Sequence, residues 1–200
     1  MATNQATQKQ VNESIVEFLT TEMVEAMVRT VKDDALKLGS DRDPSYGNLN
    51  DGAGGPKDYS EGDEAMEAVY YKLEMIGFRV GERLIERISK DRLRFTDNLD
   101  VVKFICKEVW MFLFKKQIDN LKTNHRGVYV LQDNHFRWFS RMAHDQSSIE
   151  SVKRVTPYLW FPCGILRGIL SNLGISSVVV AETSSLPGCT FQIKIAKAGP

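Results

Sequence analysis

The first apolar stripe of this chain lies on a long amphipathic helix. It begins near Asn12, an N-cap residue type, and is expected to end near Gly39. Its apolar side chains recur three or four positions apart, which is the spacing of one helix face. They are Ile15, Phe18, Leu19, Met23, Met27, Val28, Val31 and Leu38.

A second helix is predicted to start after Ser60. Its stripe consists of Met66, Val69, Tyr70, Leu73 and Ile76. Gly77 is expected to interrupt this helix, because glycine favours a junction, so that residues 80–89 form a separate, shorter helix.

A third long helix is predicted over residues 99–116, with Asp97 or Asn98 as its cap. It is apolar on more than one side, which indicates a central and largely buried helix. A further helix is predicted over residues 158–173.

Strand-like segments occur in pairs. Residues 127–131 and 136–139 flank Asp133 and Asn134, residues suited to a hairpin turn. Residues 176–181 and 189–196 predict a second hairpin. Paired strands beside a helical block predict an α+β fold, with four to five helices packed as a layer on a twisted four-stranded antiparallel sheet.

Two segments lack the apolar content of a folded core. Residues 1–11 are polar and predict a disordered tail. Residues 39–62 hold six of the 14 glycines and predict a flexible insert. The remaining residues, within 12–197, are predicted to form a single domain.

Composition restricts the function classes. Acidic and basic residues number 26 each, which argues against nucleic-acid binding driven by bulk charge. No apolar run approaches the ~20 residues of a membrane span, and the first residues do not resemble a secretory signal. Three widely spaced cysteines predict reduced thiols in a cytosolic protein.

Candidate catalytic chemistry is sparse. Cys163 stands near a predicted helix start, where a thiol can be activated, but its apolar neighbours favour a buried, inert cysteine. His125, His135 and His144 fall in predicted loops, and none has a second ligand at helical spacing. The sequence therefore predicts no catalytic residue, no metal site and no cofactor.

Longer motifs carry a resemblance to a known family. The segments KLEMIGFRVGERLIERISKD at residues 72–91, FICKEVWMFLFKKQIDNLKTNHRGVYVLQDN at 104–134 and CGILRGILSNLGISSVVVAETSSLPGCTFQIKIAK at 163–197 carry it. In these segments the chain closely resembles the subunit-6 family of the transport protein particle, TRAPP. The resemblance implies a small-subunit fold in which helices pack on a twisted antiparallel sheet.

The resemblance also implies a scaffold rather than an enzyme. Members are heterodimer partners of another small subunit, one that carries an acylated cysteine. The assembled particle tethers vesicles in ER-to-Golgi and Golgi traffic and is a nucleotide-exchange factor for a Rab GTPase. The implied location is cytoplasmic and peripheral at the Golgi and the ER, with membrane association through the complex. Residues 89–97, which correspond to the acylated segment, contain no cysteine.

Pairing in the family uses the first two long helices, where this chain has a surplus of apolar residues. The predicted partner-binding residues are Phe18, Leu19, Met23, Met27, Val69, Tyr70 and Leu73. Two alternatives stay open. One is a regulatory domain that binds a small ligand or lipid in a cavity lined by the third helix, and the other is a thiol enzyme that uses Cys163.

Overall fold

The structure is a computed structural model that describes residues 13–40, 61–92, 94–124, 126–140, 142 and 149–196. The predicted N-terminal tail lies outside the described residues, as do positions 41–60 of the predicted insert. His125 and His144 also lie outside them.

The described residues form helices and strands in the following chain order: α1 (Glu13–Ser40), α2 (Glu61–Ile88), α3 (Asn98–Phe104), α4 (Trp110–Phe114), β1 (Asn120–Thr123), β2 (Val128–Asp133), α5 (Ile149–Val155), α6 (Trp160–Asn172), β3 (Ser177–Glu182) and β4 (Cys189–Ile195). A π-helical turn, Ile105–Val109, joins α3 to α4, and a 3-10 turn, Thr156–Leu159, joins α5 to α6.

The four strands form one antiparallel sheet in the order β1-β2-β4-β3. Alternate residues of the central strands, including Leu131, Phe191 and Ile193, are fully buried on one face. The ring of Trp110 packs edge-on against that of Phe191, with the ring centres 5.2 Å apart, so α4 covers that face. This architecture confirms the predicted α+β fold with a four-stranded antiparallel sheet.

Helix α2 runs through Gly77 without a break, so the predicted interruption is wrong. The reason is a backbone contact with α6. At each of four glycines, an added Cβ would come within 2.1 or 2.2 Å of a carbonyl oxygen of the opposite helix. Glycine therefore serves here for close approach rather than for a turn. The four are Gly77, Gly81, Gly164 and Gly168.

The first hairpin also differs from its prediction. Strand β2 pairs with β1, which precedes it, and residues 136–139 are not a strand. Strand β1 alternates exposed and half-buried residues, as an edge strand does, and has little apolar content. The sequence therefore showed no pattern from which this strand could be predicted. Phe136 is instead fully buried in the core, where its ring lies 4.9 Å from Phe114 and 5.6 Å from Phe191. The aromatic ring of Phe136 therefore fills space in the core and does not mark a strand.

The predicted cap of the third helix is confirmed. The Asp97 carboxylate accepts a hydrogen bond from the Asp100 N–H at 2.7 Å. Lys115, with φ of 58°, ends α4 in the left-handed conformation, close to the predicted end at residue 116. The helical run before β3 begins earlier than predicted, at Ile149, and includes the 3-10 turn that contains Pro157.

A buried carboxylate joins α4 to the end of β2. Asp133 is 1% exposed and accepts hydrogen bonds from Trp110 Nε1 at 2.8 Å and Lys116 Nζ at 2.6 Å. The Lys116 ammonium also lies 2.9 Å from Asp119, which in turn accepts the Asn134 N–H at 2.7 Å. Because a buried charge needs such partners, this network holds the chain that turns from the helix into the sheet.

The glycine contact generates a stability prediction for Gly164→Ala. Alanine has the better helix propensity by ~1 kcal/mol, but its Cβ would lie 2.1 Å from the Glu74 carbonyl oxygen. The helices must separate to admit it, so we expect a net loss of about 2 kcal/mol in the free energy of unfolding. Urea denaturation followed by circular dichroism measures it. Ser171→Ala, at an exposed position of α6, is the control, and equal stability of both variants would contradict the close contact.

The carboxylate network generates a pH prediction for Asp119. Burial raises the pKa of its carboxyl, but hydrogen bonds from Lys116 and the Asn134 N–H outweigh burial and hold the pKa below the ordinary 3.8. A lowered pKa gives stability that is present above pH 3.8 and is lost as the pH falls through the folded-state pKa.

We therefore expect Asp119→Asn to cost about 1 kcal/mol at pH 7, a small value because the side chain is one third exposed. The difference from the unsubstituted protein should shrink below about pH 4. Urea midpoints measured across the acid range test this. A difference that stays constant down to pH 2 would show that the Asp119 charge contributes nothing.

Candidate partner-binding surface

The N-terminal half of α1 presents large apolar side chains to solvent. Phe18 is 62% exposed and Leu19 is 65% exposed, whereas Val24, on the inner side of the same helix, is 1% exposed. Met23 and Met27 are partly buried and pack against the core at the margin. We use the name α1 surface for the patch formed by Phe18 and Leu19 together with the exposed parts of Met23 and Met27.

The predicted residues of α2 lie elsewhere. Val69 and Leu73 are fully buried, so their side chains belong to the core and not to a surface that a partner reaches. The ring of Tyr70 is half-buried and stacks on Trp160, with centroids 5.0 Å apart and planes 12° from parallel. Val69 and Leu73 therefore do not share the solvent exposure of Phe18 and Leu19, although Met23 and Met27 pack against the core cluster that contains them. The role of the full set of seven stays a prediction.

Tyr71 is the exposed aromatic residue of α2 that the helical stripe missed. It is 64% exposed, although its neighbour Tyr70 packs on Trp160. Consecutive helix positions point about 100° apart, so one of two adjacent tyrosines faces out when the other faces in. The pair of adjacent tyrosines was the available sequence signal. The helical periodicity included only Tyr70, the one that faces inward.

A groove runs beside the α1 surface. It comprises a volume of 190 Å³ lined by Phe18 and Trp138 and one of 410 Å³ lined by Val28 and Met66, and Tyr158 lines both volumes. The Tyr158 hydroxyl donates a hydrogen bond to Glu25 of α1 at 3.3 Å. Burial, followed by the charge of Glu25, raises the pKa of Tyr158 to about 12, so the hydroxyl stays neutral and ties the 3-10 turn to α1.

Charges around the α1 surface are mixed. Glu22 and Arg29 form an exposed ion pair, Glu25 lies between them, and Lys153 and Arg154 line the larger groove volume. Apolar side chains framed by both signs of charge are typical of the core and rim of a protein interface. The arrangement suits the burial of a partner's apolar side chains, with polar contacts at the edge.

The three thiols offer no nucleophile. Cys106, Cys163 and Cys189 are buried and unpaired by disulfides. Burial raises the pKa of the Cys106 thiol to about 12, and burial followed by the charge of Glu74 raises that of Cys163 further. A thiol that stays protonated at neutral pH is a poor nucleophile, which agrees with the inert cysteine favoured by its apolar neighbours.

The described residues contain few other candidate sites. That part of the chain contains no group of three or more His, Cys, Asp or Glu residues placed to hold a metal ion. His135 is exposed, and its backbone N–H donates a hydrogen bond to the Asp133 carboxylate. None of the helices described is long and apolar enough to cross a membrane. A small cavity of 70 Å³ lies between Trp160, Cys163 and β3.

Comparisons with known proteins agree on the family. The family model described as "Transport protein particle (TRAPP) component" matches residues 16–196. Trafficking protein particle complex subunit 6B of Bos taurus and of Homo sapiens are each 57% identical over 126 residues, which cover 63% of this chain and 78% of each relative. Subunit 6A of Homo sapiens is 48% identical over 126 residues, 63% of this chain and 77% of the relative.

A solved structure with the same fold is the crystal structure of a trafficking protein particle complex subunit 3 from Naegleria fowleri covalently bound to palmitic acid. Its TM-score is 0.54 at 13% identity, with 88% of this chain and 97% of that chain covered. The likeness shows the fold alone. Together with the match over residues 16–196, the relatives place this chain in the TRAPP component family, in its subunit 6 group.

Proposed function

We propose that this chain is a structural subunit of the TRAPP vesicle-tethering complex in ER-to-Golgi and Golgi traffic. It heterodimerises with another small subunit and supports Rab guanine-nucleotide exchange by the assembled complex, without supplying a catalytic group itself. The observation that carries the proposal is the pair of solvent-exposed apolar residues on α1, Phe18 and Leu19, in a member of this family.

The exposed pair is costly unless a partner covers it. Burying a large apolar side chain that is otherwise exposed contributes ~1.5–3 kcal/mol. Phe18 and Leu19 are adjacent and each more than 60% exposed, and the groove beside them can receive side chains in return. An aromatic anchor next to a pocket is the usual composition of an interface hot spot.

The partner we propose is the small subunit with the acylated cysteine. The support is the family's pairing through its first long helices, together with the lack of a cysteine in residues 89–97 of this chain. In a heterodimer of that kind the sister subunit contributes the acyl chain. The complex would then act in the cytoplasm, peripherally at Golgi and ER membranes.

A regulatory ligand-binding function has weaker support in the described residues. The cavity beside Trp160 and Cys163 has a volume of 70 Å³, which is too small for an acyl chain. The larger volumes border α1, where an interface is proposed, rather than the third helix. The rings of that helix, Trp110 and Phe114, are in contact with one another and with Phe136, and so fill the core.

The α1 surface generates a binding prediction. We expect Phe18→Asp and Leu19→Asp each to weaken the complex with the acylated-cysteine small subunit by about a hundredfold, because a charge would replace a buried apolar anchor. Titration calorimetry gives the affinity, and light scattering gives the one-to-one stoichiometry. Thermal unfolding of each variant alone should stay close to that of the unsubstituted chain, since both side chains are exposed.

Met111→Asp is the matched control, because Met111 is an exposed apolar residue on a different helix. It should leave the affinity unchanged. Equal affinity of all three variants would place the interface elsewhere. The absence of any complex with the unsubstituted chain would reject the heterodimer itself.

A further inference from the structure

A second exposed apolar pair lies on α4, well separated in sequence from the α1 surface. Met111 is 43% exposed and Phe112 is 46% exposed, although the residues beside them, Trp110 and Phe114, are buried in the core. The pair therefore lies on the outward side of the α3 to α4 segment. Core packing does not account for its exposure.

Lysines frame this pair along the same outward side. Lys103, Lys107 and Lys115 are exposed, and Lys115 Nζ lies 5.8 Å from the centre of the Phe112 ring. The stripe from Lys103 to Lys115 runs along α3, the π-helical turn and α4. One acidic residue, Glu108, is exposed among them. The stripe is thus basic in a chain whose formal net charge is zero.

Further cations adjoin the α3 end of the stripe. The Arg92 guanidinium lies over the rings of Phe95 and Phe104, and it forms an ion pair with Asp100 at 2.6 Å. This contact places the loop before α3 against the helix. Arg94 in that loop is exposed. The ion pair between Arg92 and Asp100 neutralises one acidic group of α3. Lys103 and Lys107 therefore make the local surface charge positive.

We propose that this basic-aromatic stripe, formed by Lys103, Lys107, Met111, Phe112 and Lys115, binds an anionic phospholipid surface. The lysines attract the negative headgroups, and Phe112 and Met111 enter the boundary between headgroups and acyl chains. Charge complementarity selects this occupant, because three exposed lysines and one glutamate, a net positive charge, surround a small apolar centre.

The chemistry of the stripe favours lipid over an acidic protein. Its cations at the apolar pair are lysines, which act as point charges on flexible stems, whereas recognition of protein carboxylates favours the rigid fork of arginine. A lysine stem lies along an apolar surface while its ammonium stays in water, as an interfacial residue requires.

The inference rests on the proposed function. The complex is proposed to associate peripherally with membranes, and the stripe would let this subunit contact the membrane directly. It also fits a division of surfaces. The α1 surface would be covered by the sister subunit, while the α4 stripe, on another helix, would remain for the bilayer.

The test is vesicle flotation with the full chain, alone and in its heterodimer. The probes are phosphatidylcholine vesicles with and without phosphatidylserine. We expect flotation with the anionic vesicles that declines as salt is raised, because exposed charges are screened. Lys107→Gln should weaken partitioning about fivefold, since one lysine near an anionic surface contributes about 1 kcal/mol. The double substitution of Met111 and Phe112 by Ser should weaken it further.

Controls come from the same fold. Lys194→Gln removes an exposed lysine on β4, and Val178→Thr reduces an exposed apolar residue on β3, so both should float as the unsubstituted chain does. Equal flotation of the stripe variants and the controls would overturn the proposal, and so would equal binding to neutral vesicles. No flotation by an intact heterodimer would reject the stripe alone, whereas failure to form the heterodimer would count against the proposed function.

Discussion

Helices α2 and α6 touch backbone to backbone, because glycine stands at the contact on both sides. A Cβ on Gly77 would overlap the Phe161 carbonyl oxygen, and one on Gly164 would overlap that of Glu74. Such close approach brings the helix backbones together over four positions and excludes water without any side chain between them. The Arg167 guanidinium closes the contact from the side, since it lies 3.2 Å from Glu74 and over the Phe78 ring.

The position of α2 determines what α1 can bury. Val69 and Leu73 enter the core on the inner side of α2, and Tyr70 stacks on Trp160 at the start of α6. Helix α1 packs on what remains, with Val24 inward and the Tyr158 hydroxyl hydrogen-bonded to Glu25. The stripe of α1 is wider than the surface offered to it. Phe18 and Leu19 are therefore left in solvent, although they belong to the same periodic pattern as the buried residues.

Periodicity predicted the helices and the second hairpin because those elements bury one continuous face. It failed where a residue type has two structural uses. Gly77 was interpreted as a helix breaker, whereas it permits contact with α6, and a partner helix distant in sequence is not visible in a local pattern. Phe136 was interpreted as part of a strand, whereas it fills the core. For the α1 surface, the pattern identified Phe18 and Leu19 but had no means of separating them from the buried Val69 and Leu73.

The two exposed apolar pairs differ in their electrostatic setting, and this difference separates the occupants that we propose for them. Phe18 and Leu19 are followed on α1 by acidic and basic residues, with Glu22 and Arg29 paired to each other. Met111 and Phe112 are framed mainly by lysines. Mixed charge provides a protein partner with contacts of both signs, which fixes its register. A predominantly basic stripe provides little register, and it suits a fluid surface whose headgroups rearrange to meet it. Burial alone would class the pairs together, and the surrounding charge is the reason why we propose a protein subunit for one and a bilayer for the other.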